Sequence, residues 1–460
     1  MENKYPILSV KNFGKIKEAN IELAPFTLFV GDNNSGKSYI LSLIWGILDI
    51  IRNISNNSKY LFELNEDIIS QDIYNKCVSI LKNINDSHNN RYDFTKEDII
   101  NFVELSNLFL NKNKSKLLNY IFGLNSNRIS IEKLELKFPY FCNINLEKEM
   151  VNMENNIATS FRIINNRIYG NFVMNNNENI ENKIPILTQM IIVMLFDEFN
   201  LYNQKNVFLP TSRTGFILSY KKLAADNLED DIELRDNDNQ YNNNYFTRPI
   251  VQFIKELLLM DKIDYGEEIN KLLKYIESEI IYGEISLDKV TKNIYYKSFN
   301  MESEFSMNIS SAVITEISPL YLFLKYGIIN KTLFIEEPEI SLHPELQQKI
   351  GKIMIRMVNN NKSLFITTHS DTIVQHINNM ISLDNNSEEN KKYLFNKYNY
   401  GKLDTISKDK IRMYQFNVNK DSQETNIEKL ECNQYGFTLP TFNDILKKIH
   451  GEIIDFHANI

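Results

Sequence analysis

One octapeptide near the start of the sequence limits the fold of this chain more than any other feature. Residues 31–38 are Gly-Asp-Asn-Asn-Ser-Gly-Lys-Ser and match the pattern G-x-x-x-x-G-K-[ST] in full. An apolar, strand-like segment (residues 26–30) precedes them, and an apolar stretch with helical spacing follows to about residue 51. We therefore predict a strand–loop–helix unit that binds phosphate through backbone N–H groups and a helix N-terminus, because a chance match would lack both flanks.

The pattern assigns separate tasks to the residues of this loop. Gly31 and Gly36 permit its tight backbone path. Lys37 is expected to reach the β- and γ-phosphates of ATP and to be catalytic, and Ser38 to bind Mg²⁺. Four further residues are predicted to contact ATP: Asn33, Asn34, Ser35 and Tyr39.

Two acids follow a second apolar strand late in the chain. Residues 332–335 are Thr-Leu-Phe-Ile, and Glu336 and Glu337 come next. Open α/β sheets bind ligands at the carboxyl ends of their strands, and a phosphate-binding loop needs an acidic partner for Mg²⁺ and water. We therefore predict that Glu336 binds Mg²⁺ and that Glu337 orients the attacking water. A helix-starting acidic cluster is the alternative.

A histidine follows a third strand of the same kind. Residues 363–367 are Ser-Leu-Phe-Ile-Thr, and His369 comes two residues later, where we expect it to hydrogen-bond a γ-phosphate as a catalytic residue. His343, in the segment Ser-Leu-His-Pro, either shapes a turn or contacts nucleotide.

In this order the motifs resemble the ATP-binding-cassette (ABC) ATPases, closest to their soluble SMC-like, RecF-like and OLD-like branch. The resemblance implies a signature motif before the late strand, and residues 308–312, Asn-Ile-Ser-Ser-Ala, occupy that place. It implies that Ser310 or Ser311 binds the γ-phosphate of a neighbouring subunit, with ATP sandwiched between two heads. Two residues depart from the usual pattern, since Ala312 replaces a glycine and Glu336 stands where many relatives have Asp.

Four further positions keep two interpretations each. Arg213, in a Pro-x-x-Arg element that the same branch often carries, either contacts nucleotide or forms a structural ion pair. Gln189 and Gln204 are candidates for the family's glutamine loop, with packing as the alternative. Phe13 either stacks near the adenine or belongs to the core.

The alternation of strands and helices predicts an α/β fold, an ABC-ATPase head (P-loop NTPase) with an antiparallel β subdomain and an inserted helical lobe. We assign residues 1–50 and 283–410 to the ATPase core and 51–205 to an inserted helical and β region. We expect residues 206–282 to form a connecting helical lobe with an acidic loop at 226–244, which is either a mobile surface loop or a segment that binds a partner. Residues 411–460 form a C-terminal strand and helix.

Composition excludes several classes. The 460 residues exceed one typical domain, and a net charge of −8 argues against a surface that is basic throughout. The three cysteines form no metal-type pair, so no disulfide framework or zinc site is expected. The chain lacks a signal-peptide pattern and an apolar run long enough for a bilayer, so we expect a cytoplasmic protein without membrane contact.

The resemblance extends to stand-alone ATPases of bacterial anti-phage defence, of the Septu, PARIS and retron-linked kinds. It implies a homodimer or higher homo-oligomer that acts as a nucleotide-gated sensor or scaffold. Since no second catalytic centre follows residue 380, the effector is expected to be a separately encoded nuclease or toxin. The alternatives are a RecF-like DNA-repair or replication ATPase that clamps DNA, and a scaffold that binds ATP and hardly hydrolyses it. Contact with nucleic acid is left open.

Overall fold

The computed structural model describes residues 4–52, 66–86, 91–123, 129–139, 145–153, 156–163, 172–175, 183–201, 206–225, 246–260, 266–329, 331–439 and 450–456. They fall into two compact units. The first unit takes residues within 1–23, 42–206 and 243–248, and the second takes residues within 24–41, 207–242 and 249–460.

The first unit contains two antiparallel sheets. One consists of β1 (Ile7–Phe13), β2 (Ile16–Glu22) and β5 (Lys133–Lys137), with β1 in the middle. The other has the order β4 (Arg91–Asp93), β6 (Asn145–Met153), β7 (Asn156–Ile163) and β8 (Phe172–Asn175). The pairing of β7 with β8 agrees with the hairpin expected from sequence, and its turn lies outside the described residues.

Helices form the rest of the first unit. They are residues 42–52 of α1 (Lys37–Arg52), α2 (Glu66–Ile69), α3 (Asp72–Asp86), α4 (Lys96–Lys112), α5 (Lys114–Phe122) and α6 (Ile184–Glu198). Trp45 is fully buried on α1 and donates its indole N–H to the Asn206 carbonyl at 2.9 Å. Asn107 and Asn111 of α4 exchange hydrogen bonds with the backbone of β5, which ties this helix to the sheet.

The second unit is built on a sheet of six strands. Their order is β16 (Thr425–Leu430), β15 (Ile411–Val418), β3 (Phe26–Gly31), β14 (Ser363–Thr367), β13 (Thr332–Glu336) and β9 (Asn206–Leu209). The central four, from β15 to β13, are parallel. The carboxyl ends of these four strands therefore meet at one edge of the sheet, where ligand sites of α/β folds form.

Helices and small strands complete the second unit. The helices are α7 (Arg213–Ala225), α8 (Arg248–Leu258), α9 (Glu267–Ile276), α10 (Ala312–Lys325), α11 (Pro344–Asn359), α12 (Asp371–Asp384) and α13 (Glu388–Tyr398). The strands are β10 (Gly283–Leu287), β11 (Ile294–Ser298) and β12 (Phe305–Ser306), which form an antiparallel sheet, and the pair β17 (Cys432–Asn433) and β18 (Gly436–Phe437). Stacked rings of Phe208, Phe334 and Phe365 join β9, β13 and β14 on one face of the main sheet.

The observed α/β architecture matches the predicted fold class, but the boundaries differ in two places. Residues 1–23 belong to the first unit, whereas sequence analysis assigned 1–50 to the ATPase core. Strand β15 pairs with β3 in the main sheet, so the core does not end at residue 410. The predicted acidic loop at 226–244 lies outside the described residues.

The prediction for the C-terminal part was incomplete. One strand and one terminal helix were expected after residue 380, and the structure adds α13, β16, β17 and β18. These segments were missed because they are polar and lack a periodic apolar pattern. The helix α13, for example, buries none of its residues. Of the predicted terminal helix, only residues 450–456 are described, and they are helical.

Candidate active site

The loop after β3 has the backbone path that its two glycines predicted. Gly31 has φ +115° and Gly36 has φ +95°, both in the left-handed region that favours glycine. A Cβ atom on Gly31 would lie 2.3 Å from the Phe416 carbonyl oxygen of β15, so no larger residue fits there. The neighbouring strand therefore sets the shape of the loop.

Asp32 fixes the loop to the same strand. Its backbone N–H donates to the Phe416 carbonyl at 3.0 Å, and its carboxylate accepts from the Val418 N–H at 2.9 Å. Sequence analysis gave Asp32 no role, and no local pattern could have done so, because its partners lie almost four hundred residues away in the chain.

Lys37 starts α1 and turns back over the loop. Its ammonium donates to the carbonyls of Gly31 (3.1 Å) and Asp32 (2.5 Å) and to Ser35 Oγ (3.3 Å). Burial lowers the pKa of Lys37 to about 8, although the charge of Glu337 opposes the shift. A cation held by carbonyl dipoles at a helix N-terminus can exchange these contacts for phosphate oxygens.

The two predicted acids stand at the end of β13. Glu336 accepts hydrogen bonds on Oε2 from the Thr211 N–H (3.0 Å) and hydroxyl (3.1 Å). Glu337 has φ +44°, and its N–H donates to the Thr367 carbonyl of β14 at 2.9 Å. Burial and the adjacent Glu336 charge raise the pKa of Glu337, whereas the charges of Lys37 and Arg213 lower it.

His369 lies beyond β14 on the same edge of the sheet. Glu339 holds this segment, since its carboxylate accepts from the His369 N–H (2.5 Å) and the Thr368 hydroxyl (2.9 Å). Burial and the nearby charge of Lys37 lower the pKa of the His369 imidazole. A neutral imidazole beside the loop can exchange protons with a phosphate or water.

Arg213 lies beside the two acids but does not face a ligand. Only 3% of its surface is exposed, and its guanidinium donates to the carbonyls of Pro210 (3.0 Å), Glu336 (2.7 Å) and Glu337 (3.0 Å). It also forms an ion pair with Glu316. These contacts support the structural ion pair over the phosphate contact that sequence analysis also allowed.

The predicted signature residues begin α10. Ser311 is the N-cap residue and is exposed, and its side chain makes no capping hydrogen bond. Ser310 is half-buried and donates to the Ser306 carbonyl at 3.3 Å. Ile309 beside them is 72% exposed. The first turn of this helix is open to solvent and can receive a ligand from another molecule.

Two of the remaining candidates, Gln189 and Phe13, are buried. Gln189 is buried on α6 and donates to the Ile51 carbonyl at 2.8 Å, and Gln204 lies outside the described residues. Phe13 is buried against Phe122 in the first unit. His343 is exposed at the N-cap of α11.

Comparison with protein-family models gives a match to the AAA ATPase domain over residues 7–374, most of the chain. The chain belongs to this family. The protein is therefore an ATPase. The comparison with curated proteins gives no match.

Solved structures similar to this ATPase include two head domains. The SMC head domain from Thermotoga maritima is 11% identical, with 93% of this chain and 98% of that chain covered and a TM-score of 0.34. An Smc head with an extended coiled coil, solved with the C-terminal domain of ScpA derived from Pyrococcus furiosus, is 9% identical. It covers 97% of this chain and 99% of that chain, with a TM-score of 0.34.

The residues at the catalytic edge of the ATPase fit Mg²⁺ bound together with a nucleotide. Within the described residues, no group of three His, Cys, Asp or Glu side chains could hold a metal ion. Ser38 and Glu336 offer two oxygen ligands, and Mg²⁺ usually completes its octahedron with water and substrate phosphates. Across the helices of the described ranges, none is long and apolar enough to span a membrane.

Proposed function

We propose that this ATPase is a nucleotide-gated subunit of a bacterial anti-phage defence system. In this proposal two heads pair around ATP, and the paired state controls a separately encoded nuclease or toxin. ATP binding closes the pair, and hydrolysis or a phage component releases the effector.

The residues at the sheet edge divide the ATPase reaction among them. Lys37 binds the β- and γ-phosphates once it leaves the loop carbonyls. Ser38 and Glu336 would hold Mg²⁺, which would neutralise phosphate charge. Glu337 accepts a proton from the attacking water and orients it. Its raised pKa suits this task, since a base is most effective when its pKa approaches the working pH.

The single observation that supports pairing is the exposed start of α10. Ser311 presents its hydroxyl at a helix N-terminus, and the neighbouring Ile309 is 72% exposed. The N-terminus of a helix, with its unpaired backbone N–H groups, is a ready anion-binding site. We infer that Ser310 and Ser311 bind the γ-phosphate held by a second copy.

The setting in defence rests on the resemblance of the motifs. The Glu-Glu end of β13, the Ser-Leu-His-Pro turn and the Pro-x-x-Arg loop support it.

The experiment is a native mass determination with and without ATP and Mg²⁺, on the wild type and on Glu337→Gln. The variant should trap ATP and accumulate as a stable pair, and Ser311→Arg should prevent pairing. A mass that ATP leaves unchanged in the variant would contradict the paired-head proposal.

A second experiment tests the biological role. The gene and its neighbour are expressed together in bacteria, which are then challenged with phage. Protection that requires both genes and is lost with Lys37→Ala supports defence. A protein that instead retains DNA when paired, without protecting cells, would favour the DNA-clamp alternative.

A further inference from the structure

A short loop between β9 and α7, residues 210–214, contacts both acids at the end of β13. Thr211 donates twice to the Glu336 carboxylate, through its N–H and its hydroxyl. Arg213 donates to the backbone carbonyls of Glu336 (2.7 Å) and Glu337 (3.0 Å). The loop thus holds one carboxylate and the main chain of both acids.

The same loop also binds the helix that begins with the signature residues. Glu316 lies five positions after Ser311 on α10, and it accepts a hydrogen bond from Thr214 and forms an ion pair with Arg213. The side chains of Arg213 and Glu316 are 4% and 1% exposed. The Arg213 side chain therefore connects the helix that starts at the signature residues with the two acids at the end of β13.

The geometry requires an arginine. Arg213 reaches three carbonyls and one carboxylate with a planar fork, and a lysine has one nitrogen that cannot reach all four. The backbone it holds is in an unfavourable conformation, because Glu337 has φ +44°. Such a conformation persists only where the surroundings impose it. Here Thr367 binds the N–H of Glu337, and Arg213 binds its carbonyl.

We propose that Arg213, anchored by Glu316, is a positioning residue for ATP hydrolysis that sets the backbone at Glu337 and links it to the start of α10. Displacement of α10 when a second head engages Ser310 and Ser311 would move the carbonyl anchors of the catalytic acid. The inference deepens the proposed function and rests on Glu337 being the catalytic carboxylate.

The experiment separates positioning from stability with three variants. Arg213→Lys keeps the charge and removes the fork. Arg213→Met combined with Glu316→Met replaces the buried pair by apolar side chains of similar length, an exchange that proteins often tolerate without loss of stability. Arg356→Lys is the matched control, because Arg356 forms the ion pair with the buried Asp404 in the last turn of α11.

Each variant is assayed for kcat, for the KM of ATP and for the midpoint of thermal unfolding. Misplacement of a catalytic group by about 1 Å can cost about a hundredfold in rate, so we expect kcat of Arg213→Lys to fall at least about tenfold. Its KM should change little, because Lys37 and the loop remain in place. The double Met variant leaves three carbonyls without the guanidinium, so it should unfold at a lower temperature and still have a low kcat when assayed well below that temperature, and Arg356→Lys should keep the wild-type kcat.

Two outcomes would overturn the inference. One is a double Met variant that folds and hydrolyses ATP at the wild-type rate, and the other is Arg213→Lys with an unchanged kcat. The kcat of Arg213→Lys still decides the inference if the double Met variant does not fold. Glu337→Gln is assayed alongside, and it distinguishes failure of the positioning role of Arg213 from failure of the proposed catalytic role of Glu337. If Glu337→Gln keeps the full rate, the role of Glu337 is wrong whatever Arg213 shows.

Discussion

Two buried clusters of charged residues in the second unit differ in how completely their charges are paired. The catalytic-edge cluster consists of Lys37, Arg213, Glu316, Glu336 and Glu337. The α11 cluster consists of Lys352, Arg356, His376, Tyr400 and Asp404. Both contain an arginine bound to a buried carboxylate, and Arg213 is buried whereas Arg356 is half-buried.

The α11 cluster surrounds one acid with donors. Asp404 is 1% exposed and accepts from Arg356 Nε (2.6 Å) and the Gly401 N–H (2.7 Å), with Lys352 at 3.3 Å. Lys352 also lies over the ring of Tyr400. Paired and hydrogen-bonded charges of this kind hold a structure in place.

The catalytic-edge cluster places two acids side by side instead. The Glu336 charge and burial raise the pKa of Glu337, and burial lowers the pKa of Lys37. Among the described residues, the hydrogen bonds of Glu337 are made by its backbone. The pKa values are perturbed in both clusters, so the difference lies in the pairing, and the two adjacent acids support the catalytic-edge cluster as the candidate site.

The largest expected effect is on stability, from Asp404→Asn. The change leaves the half-buried Lys352 and Arg356 beside a neutral group. Removing one partner of a fully buried pair costs about 3–5 kcal/mol, and partial exposure of the two cations reduces that cost. We expect a clearly lower unfolding midpoint and, in the fraction that stays folded, an unchanged kcat. A fall in kcat of the folded fraction would remove the distinction between the clusters.

Glu337→Gln should show the opposite pattern. Loss of the water-orienting carboxylate is expected to lower kcat by about 10²–10³, the range measured for single groups that stabilise a transition state. The unfolding midpoint should stay the same or rise slightly. The reason is that a carboxyl with a raised pKa destabilises the folded protein when ionised. Asp409→Asn, at an exposed acid, is the control for loss of a negative charge.

Sequence analysis predicted the parts of this site that a short segment of the chain defines by itself. The loop at 31–38, Glu336, Glu337 and His369 each lie at the end of an apolar strand or within two residues of it, and the ends of these strands were predicted within one residue. The contacts that hold them were missed. Glu316 stands alone in an apolar helix, and only the folded chain shows that it meets Arg213. Such contacts depend on which strands and helices become neighbours in the fold, and the residue pattern of a single sequence does not show this.

Acid should weaken the α11 cluster through His376. Burial lowers the pKa of this histidine to about 4, from an ordinary value of 6.5. The unfolded chain then binds the proton more tightly than the folded chain does. The contribution of His376 to the free energy of unfolding is therefore fully present above pH 6.5 and decreases as the pH falls towards 4, by about 3 kcal/mol in all. Urea unfolding at several pH values measures this. His376→Gln should flatten the acid limb, and His343→Gln, at an exposed histidine, should not.

The smallest expected effect is the alkaline limb of the ATPase reaction. The pKa of Lys37 is lowered to about 8, so the ammonium that binds phosphate is lost as the pH rises above that value. The ratio kcat/KM, which reports the free enzyme, should be level below pH 8 and fall about tenfold per pH unit above it.

Lys362 provides a matched control for this pH profile, because burial lowers its pKa to about 8 as well and its ammonium donates to the Ile329 carbonyl at 3.2 Å. Lys362→Gln should leave the alkaline limb in place, since this lysine has no part in phosphate binding. A limb that disappears in Lys362→Gln would assign the titration to a structural lysine. A wild-type profile that stays level to pH 9.5 would show that Lys37 keeps its proton, and that the loop carbonyls compensate its burial more fully than the contacts at Gly31, Asp32 and Ser35 indicate.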